Sequence, residues 1–166
     1  MDYNQIVPFI PNLRRYARAL VGDRDAADDL VQDTLERAVR KFHLWRPGDL
    51  RAWLFSIMHN VFVNQIKARK NAPHLDIEEH MVAAHIPSAT SVDVLDMHRA
   101  LLDLVPEQRE VVLLVALEDM SYADVSRALG IPIGTVMSRL SRGRERLRKF
   151  MAGDVTRTNP SLRIVQ

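Results

Sequence analysis

Thr135, Ser138, Arg139 and Arg142 follow one another at steps of three, one and three residues, and a helix would gather them on one side. Short hydroxyls beside guanidinium forks are groups that a DNA major groove accepts: a hydroxyl bonds either kind of base edge, and an arginine grips guanine at two points. Arg144, Arg146, Arg148 and Lys149 come next. Their charges suit phosphates, in binding that weakens steeply as salt rises. Such a helix can be presented to a groove only if a second helix holds it at a steep angle.

The residues just before it have that character. Ser121 with Asp124 is a capping-box-like helix start, Gly130 is placed to end a helix in the left-handed conformation, and Pro132 suits the first turn of the next helix. Two short helices joined by a tight turn make a helix-turn-helix. Ala123, Val125, Leu129, Ile131, Val136 and Leu140 are the apolar residues expected to lock the pair. A helical hairpin with a merely solvated basic face is the blander reading, but caps, turn, lock and basic face all agree in register.

The charges of the whole chain support this zoning. A formal net of +2 over 166 residues hides three segregated blocks. Between 121 and 150, seven Lys and Arg face Asp124 and Glu145; from 23 to 36, six acids face Arg24; from 71 to 98 there are five acids and no Lys or Arg. A polyanion fits the first block and a different partner the acidic ones. With no cysteine, disulfides, cysteine zinc sites and thiol catalysis are excluded, and the composition suits a reducing compartment. No apolar run reaches the roughly 20 residues that span a bilayer, and the N-terminus lacks a basic signal-like start. A cytoplasmic protein without membrane insertion is expected. There is no glycine-rich phosphate loop, nucleophile elbow or metal signature, so no enzyme, metal or cofactor is expected. His74, His80 and His85 lack ligand spacing.

Helical period dominates the first seventy residues. Ile6 to Leu20 reads as a helix ended near Gly22. Ala27, Leu30, Val31, Leu35, Ala38, Val39 and Phe42 form the apolar stripe of a second helix over 25–42. His43 to Asp49, with Pro47-Gly48, is a loop. A long helix follows, with Leu50, Trp53, Leu54, Ile57, Met58, Val61, Phe62 and Ile66 as its stripe. Periodicity fails over 71–91, apart from a short helical piece around Ile77 to Ala84, and returns from Val92. The expected fold is all-α: two small helical domains, 1–70 and 92–152, joined by a flexible acidic linker, 71–91, and followed by a loose tail, 153–166. The linker, about 20 residues at roughly 3.3 Å each, can reach on the order of 65 Å. No dimerisation seam is visible, which predicts a monomer when free.

The stretch from Ile131 to Arg144, Ile-Pro-Ile-Gly-Thr-Val-Met-Ser-Arg-Leu-Ser-Arg-Gly-Arg, resembles the second DNA-binding region of extracytoplasmic-function (group 4) sigma factors of the σ70 family. Leu104 to Val111 resembles the preceding helices of that domain. Asp25 to Thr34 and Arg51 to Asn60 resemble the family's first domain, so the likeness runs over about residues 5–150 in two separate blocks. It implies a promoter-specificity subunit for RNA polymerase core, meeting the clamp helices and the flap, and commonly held by an anti-sigma factor lodged between its domains. Asp28, Asp29, Gln32, Asp33, Leu35 and Glu36 match the polymerase-docking helix. Leu44, Trp45, His59, Asn60, Asn64 and Lys67 match the segment that captures the start-proximal (−10) element, where extruded bases need stacking planes and a polar pocket. Trp53 reads better as core, and His59 is open between pocket wall, phosphate contact and solvent. Thr135, Ser138, Arg139, Arg142, Arg144 and Arg146 match the reader of the upstream (−35) element. Met137 departs from the basic residue frequent there, and Gly143 is either a loosening or a close backbone approach. A helix-turn-helix repressor or activator whose N-terminal half senses a ligand is the alternative. It predicts strong palindrome-specific binding by the isolated chain.

Overall fold

The first helix, α1, runs Ile10–Val21 after two short 3-10 turns over Tyr3–Gln5 and Val7–Phe9. Leu13, Tyr16, Ala17 and Leu20, spaced three, one and three, bury its inner stripe. Gly22 ends it, and Asp23 starts α2, Arg24–Lys41, by accepting from the Ala26 N–H at 2.9 Å. The computed structural model describes residues 2–71 and 92–153. The sequence expectations for 77–84, for His74, His80 and His85, and for the tail beyond Gly153 therefore lie outside the described residues.

Helix α2 packs on α1 and on α3, Leu50–Asn71. Thr34, wholly buried among its apolar neighbours, satisfies its hydroxyl by donating to the Leu30 carbonyl at 2.7 Å. Phe42 closes this bundle below the loop: Trp45 stacks on it with ring centroids 5.5 Å apart, and Trp53 meets it edge-on at 6.3 Å. Trp53 is thus packed against the core, as its place on the stripe predicts.

The C-terminal half comprises α4 (Val92–Asp103), α5 (Pro106–Ala116), α6 (Tyr122–Leu129) and α7 (Ile133–Met151). Ser121 caps α6, its hydroxyl accepting from the Asp124 N–H at 3.1 Å. Gly130 ends α6 at φ +65, a conformation cheap only without a Cβ. Pro132 is the residue before α7 and not inside its first turn. Helices α4, α5 and α6 all rest on α7. Of the six residues expected to lock the helix pair, Val125, Leu129, Val136 and Leu140 are buried and Ile131 is half-buried; Ala123 is exposed.

The halves, read from sequence as separate domains, pack directly on each other: α3 against α6, and α1 against α4 and α5. This explains why Ala52 and Phe55 are buried although they fall off the apolar stripe of α3; the long helix is covered on two sides. Phe55 meets Tyr16 edge-on at 5.1 Å. Gly143 marks a close approach inside the C-terminal half, since a Cβ there would lie 2.7 Å from Cγ2 of Val112 on α5.

Candidate nucleic-acid interface

The buried residues of α7 are Val136, Leu140 and Gly143, with Leu147 half-buried below them. At about 100° per residue, Ser138 projects nearly opposite this stripe and Arg142 lies roughly 130° from it. Both are exposed, as are Met137, Arg144 and Arg146. Thr135 and Arg139 are half-buried on the flank. The Arg139 charge is the smallest of the influences on the Glu110 carboxyl, favouring its ionised form. Arg146 makes a 2.9 Å ion pair with Asp103 of α4. The outward face is thus headed by Ser138 and Arg142, with Arg144 exposed on the opposite flank of the helix, while Arg146 is occupied by an acid of the same half.

On α3, Asn60, Asn64 and Lys67 share one exposed ridge at i, i+4 and i+7. Leu44 is 64% exposed, and Trp45 beside it is half-buried, stacked on Phe42. His59 stands apart from this group. Its Nδ1 shares a 2.8 Å hydrogen bond with Oε1 of Glu110, which is 2% exposed. Its partner here is a carboxylate of the other half. Burial pushes the Glu110 carboxyl above the ordinary range; the His59 hydrogen bond and charge pull it back.

Helix α2 carries Asp28, Asp29, Gln32, Asp33 and Glu36 exposed, with Leu35 half-buried. Asp28, Gln32, Leu35 and Glu36 line a groove of about 950 Å³ against α1, and Val31 and Val39 are among its apolar residues. Arg14, Arg18, Arg24 and Arg40 line it too, and Glu36 pairs with Arg40. Asp33 faces away from the groove and accepts from Gln65 at 3.4 Å. The acidic helix is therefore half of a mixed-charge groove with an apolar floor, a feature its own sequence does not show.

Two buried acids escaped the sequence reading. Glu110 and Glu118 bracket the apolar run from Val111 to Leu117, and each finds its partner in the N-terminal half. A carboxylate embedded at either end of an apolar helix stripe is the signal that could have marked them, because a buried charge requires a partner. Arg109 was also missed as a hub: its guanidinium donates to the carbonyls of Leu101 (2.8 Å), Leu104 (2.8 Å), Leu102 (3.1 Å) and, on α1, Leu20 (2.6 Å).

Comparison with known proteins agrees with both halves. The family described as "Sigma-70, region 4" matches residues 95–147, and "Sigma2 domain of PhyR" matches residues 6–59. The extracytoplasmic-function RNA polymerase sigma factor EcfG of Rhodopseudomonas palustris is 36% identical over 91% of this chain and 85% of its own length. The chain belongs to the extracytoplasmic-function sigma factors. The sigma factor RpoE of Bartonella quintana, solved in complex with the anti-sigma factor NepR, is 33% identical, with a TM-score of 0.75 over 92% of this chain and 97% of that one. The anti-anti-sigma factor PhyR of the same organism, 18% identical, shares the fold at a TM-score of 0.61 over 88% of this chain and 49% of its own. As a sigma factor the chain is a transcription initiation factor and not an enzyme. No described helix is long and apolar enough to cross a membrane.

Proposed function

We propose that this sigma factor acts in the cytoplasm and divides its work between two domains, 1–70 and 92–152. The face of α7 headed by Ser138 and Arg142 reads the −35 element, with Thr135 and Arg139 at its flank and Arg144 and Arg146 on phosphates. The Leu44–Trp45 loop and the Asn60, Asn64 and Lys67 ridge capture the melted −10 strand, Trp45 supplying a stacking plane and Lys67 the charge. The α1–α2 groove takes the polymerase clamp helices: its Leu35 and Val39 floor offers apolar burial and its mixed rim sets the register. An anti-sigma factor is the expected inhibitor, as NepR is the partner of the Bartonella RpoE in its structure.

The observation that carries this reading is the outward α7 face, where a hydroxyl and an arginine project opposite a fully locked apolar stripe. A second reading arises from the N-terminal match to the PhyR domain: a sigma-like chain that serves to bind an anti-sigma factor. Such a mimic has no need of base-reading side chains, and the exposed Ser138, Arg142 and Arg144 argue for the DNA-reading role.

In vitro transcription separates the possibilities. Core polymerase plus this chain should start transcripts from a specific subset of promoters, with weak promoter binding by the chain alone. Strong palindrome-specific binding without core would establish the repressor instead. Anti-sigma binding without any core-dependent transcript would establish the mimic.

A further inference from the structure

Phe42 is the ring on which three other aromatics converge. Trp45 stacks on it with 29° between the ring planes, Trp53 meets it edge-on at 73°, and Tyr3 tilts against it at 57° with centroids 5.5 Å apart. Trp45 and Trp53 belong to the connection between α2 and α3 and to α3 itself. Tyr3 comes from elsewhere, the 3-10 turn that precedes α1. That turn is anchored: Asp2 accepts from the Asn4 N–H at 3.1 Å, the Tyr3 carbonyl accepts from the Ile6 N–H at 3.0 Å, and Ile6 is buried in the core. The Tyr3 side chain is 45% exposed and its hydroxyl makes no hydrogen bond among the described residues. Its ring is therefore what it contributes.

The loop from Leu44 to Asp49 needs outside support, because its own backbone supplies little. Trp45 donates its N–H to the Phe42 carbonyl at 3.1 Å, and Asp49 caps α3 by accepting from the Ala52 N–H at 3.1 Å. Arg46, Pro47 and Gly48, between these ties, make no hydrogen bond among the described residues. What fixes Leu44 and Trp45 is then the seat of the Trp45 ring on Phe42. Phe42 is in turn fixed by its other two ring contacts, Trp53 from a helix and Tyr3 from the anchored turn. A loosely seated loop samples several conformations, and only the competent fraction binds. A loop held in its binding conformation avoids that ordering cost.

We propose, resting on the −10 reading of this loop given above, that Tyr3 is a positioning residue for −10 capture. It braces Phe42, and through Phe42 it holds the Leu44–Trp45 loop in the conformation that receives melted DNA. Tyr3 is not among the residues lining the α1–α2 groove, and it lies outside the helix-turn-helix. Its loss should therefore act on promoter opening and leave polymerase docking and upstream-element binding as they were.

The test uses holoenzyme assembled from core polymerase and the full chain, on a promoter that it transcribes, with 2-aminopurine in the −10 element to report unstacking. Tyr3→Ala should lower the equilibrium constant for opening about two- to tenfold, the contribution of one aromatic pair. Core affinity, and holoenzyme binding to a duplex carrying the −35 element alone, should be unchanged. Tyr3→Phe keeps the ring and should open the promoter like wild type. Both tryptophans of the chain belong to the cluster, so tryptophan emission of the free protein reads the seat directly: Tyr3→Ala should shift it and Tyr3→Phe should not. The brace is overturned if Tyr3→Ala opens as wild type does, loses core affinity to the same extent, or loses opening with emission unchanged. It is equally overturned if Tyr3→Phe is as defective as Tyr3→Ala. Trp45→Ala that opens the promoter as well as wild type would instead overturn the −10 reading of the loop itself.

Discussion

Replacing Gly143 with alanine tests how closely α7 is seated. In an open helix this change gains up to about 1 kcal/mol, because alanine loses less backbone entropy and shields the backbone. Here the added Cβ would lie 2.7 Å from Cγ2 of Val112 and 3.6 Å from both Cβ and the carbonyl oxygen of Gln108. Ordinary carbon contacts sit at about 3.5–4.0 Å, so the neighbour must move by about 1 Å. Val112 is buried on α5 and β-branched, and a β-branched side chain in a helix has essentially one rotamer. The backbone of α5 or α7 must therefore shift, at an overpacking cost of about 1–3 kcal/mol. The cost exceeds the propensity gain, leaving a net loss of about 1 kcal/mol. In thermal unfolding followed by circular dichroism, Tm should fall by about 2–8 °C, the lower figure applying if both halves melt together. Gly134→Ala is the matched control on the same helix: its Cβ would meet nothing within 4 Å, and Tm should hold or rise. Val112→Ala combined with Gly143→Ala should cost about 1 kcal/mol less than the sum of the two single losses in a double-mutant cycle. A Gly143→Ala protein as stable as the Gly134→Ala control, or more so, refutes the close approach.

Three further outcomes follow from the geometry. Arg109→Lys keeps the charge but not the planar fork that serves four carbonyls; urea unfolding should show a loss of about 2–4 kcal/mol, and wild-type stability would mean that charge alone matters. Arg142→Ala should relax selectivity at one or two bases of the upstream element, at about 1–3 kcal/mol for a bidentate contact. Arg139→Ala, beginning from a half-buried flank, should alter selectivity less, and the reverse order in a promoter-variant panel would move the reading face. His98 on α4 is half-buried, and its Nε2 has no hydrogen-bond partner among the described residues. Burial lowers its pKa, a hydrogen bond with the Gly22 backbone opposes this, and the nearby Arg109 charge adds to the lowering. A histidine whose folded pKa is depressed contributes stability that is complete above its ordinary value of about 6.5 and is lost as pH falls from there through the lowered folded pKa. Between pH 7.5 and 5.5 the wild type should therefore lose more Tm than His98→Gln; equal losses would contradict the assignment.

The local structure was legible in the residues because its causes are local. Ser121, Asp124, Gly130 and the apolar positions of α6 and α7 act within one or two turns, and the structure repeats them with small differences: Pro132 sits one residue outside α7 and Ala123 is exposed. The stripes of α1, α2 and α3 were legible for the same reason. What escaped was everything with a distant partner. The acids of α2 were read as one charged face, but α1 brings Arg14 and Arg18 beside them and turns that face into a groove. His59 was open between three roles, and its partner Glu110, fifty-one residues away, belonged to no local pattern. Gly143 was ambiguous between weakness and close approach until Val112 was seen against it.

Sequence by itself determined the helices, their caps, the helix-turn-helix and the family, since periodicity, capping and motif order are properties of neighbouring residues. Tertiary structure alone decided that the two halves lie against each other, which arginines of α7 face outward, and that Glu110 and Glu118 are held from the opposite half. A charge in a sequence has a sign but no surroundings, and its pairing, burial and availability are decided by which chain segments the fold brings beside it.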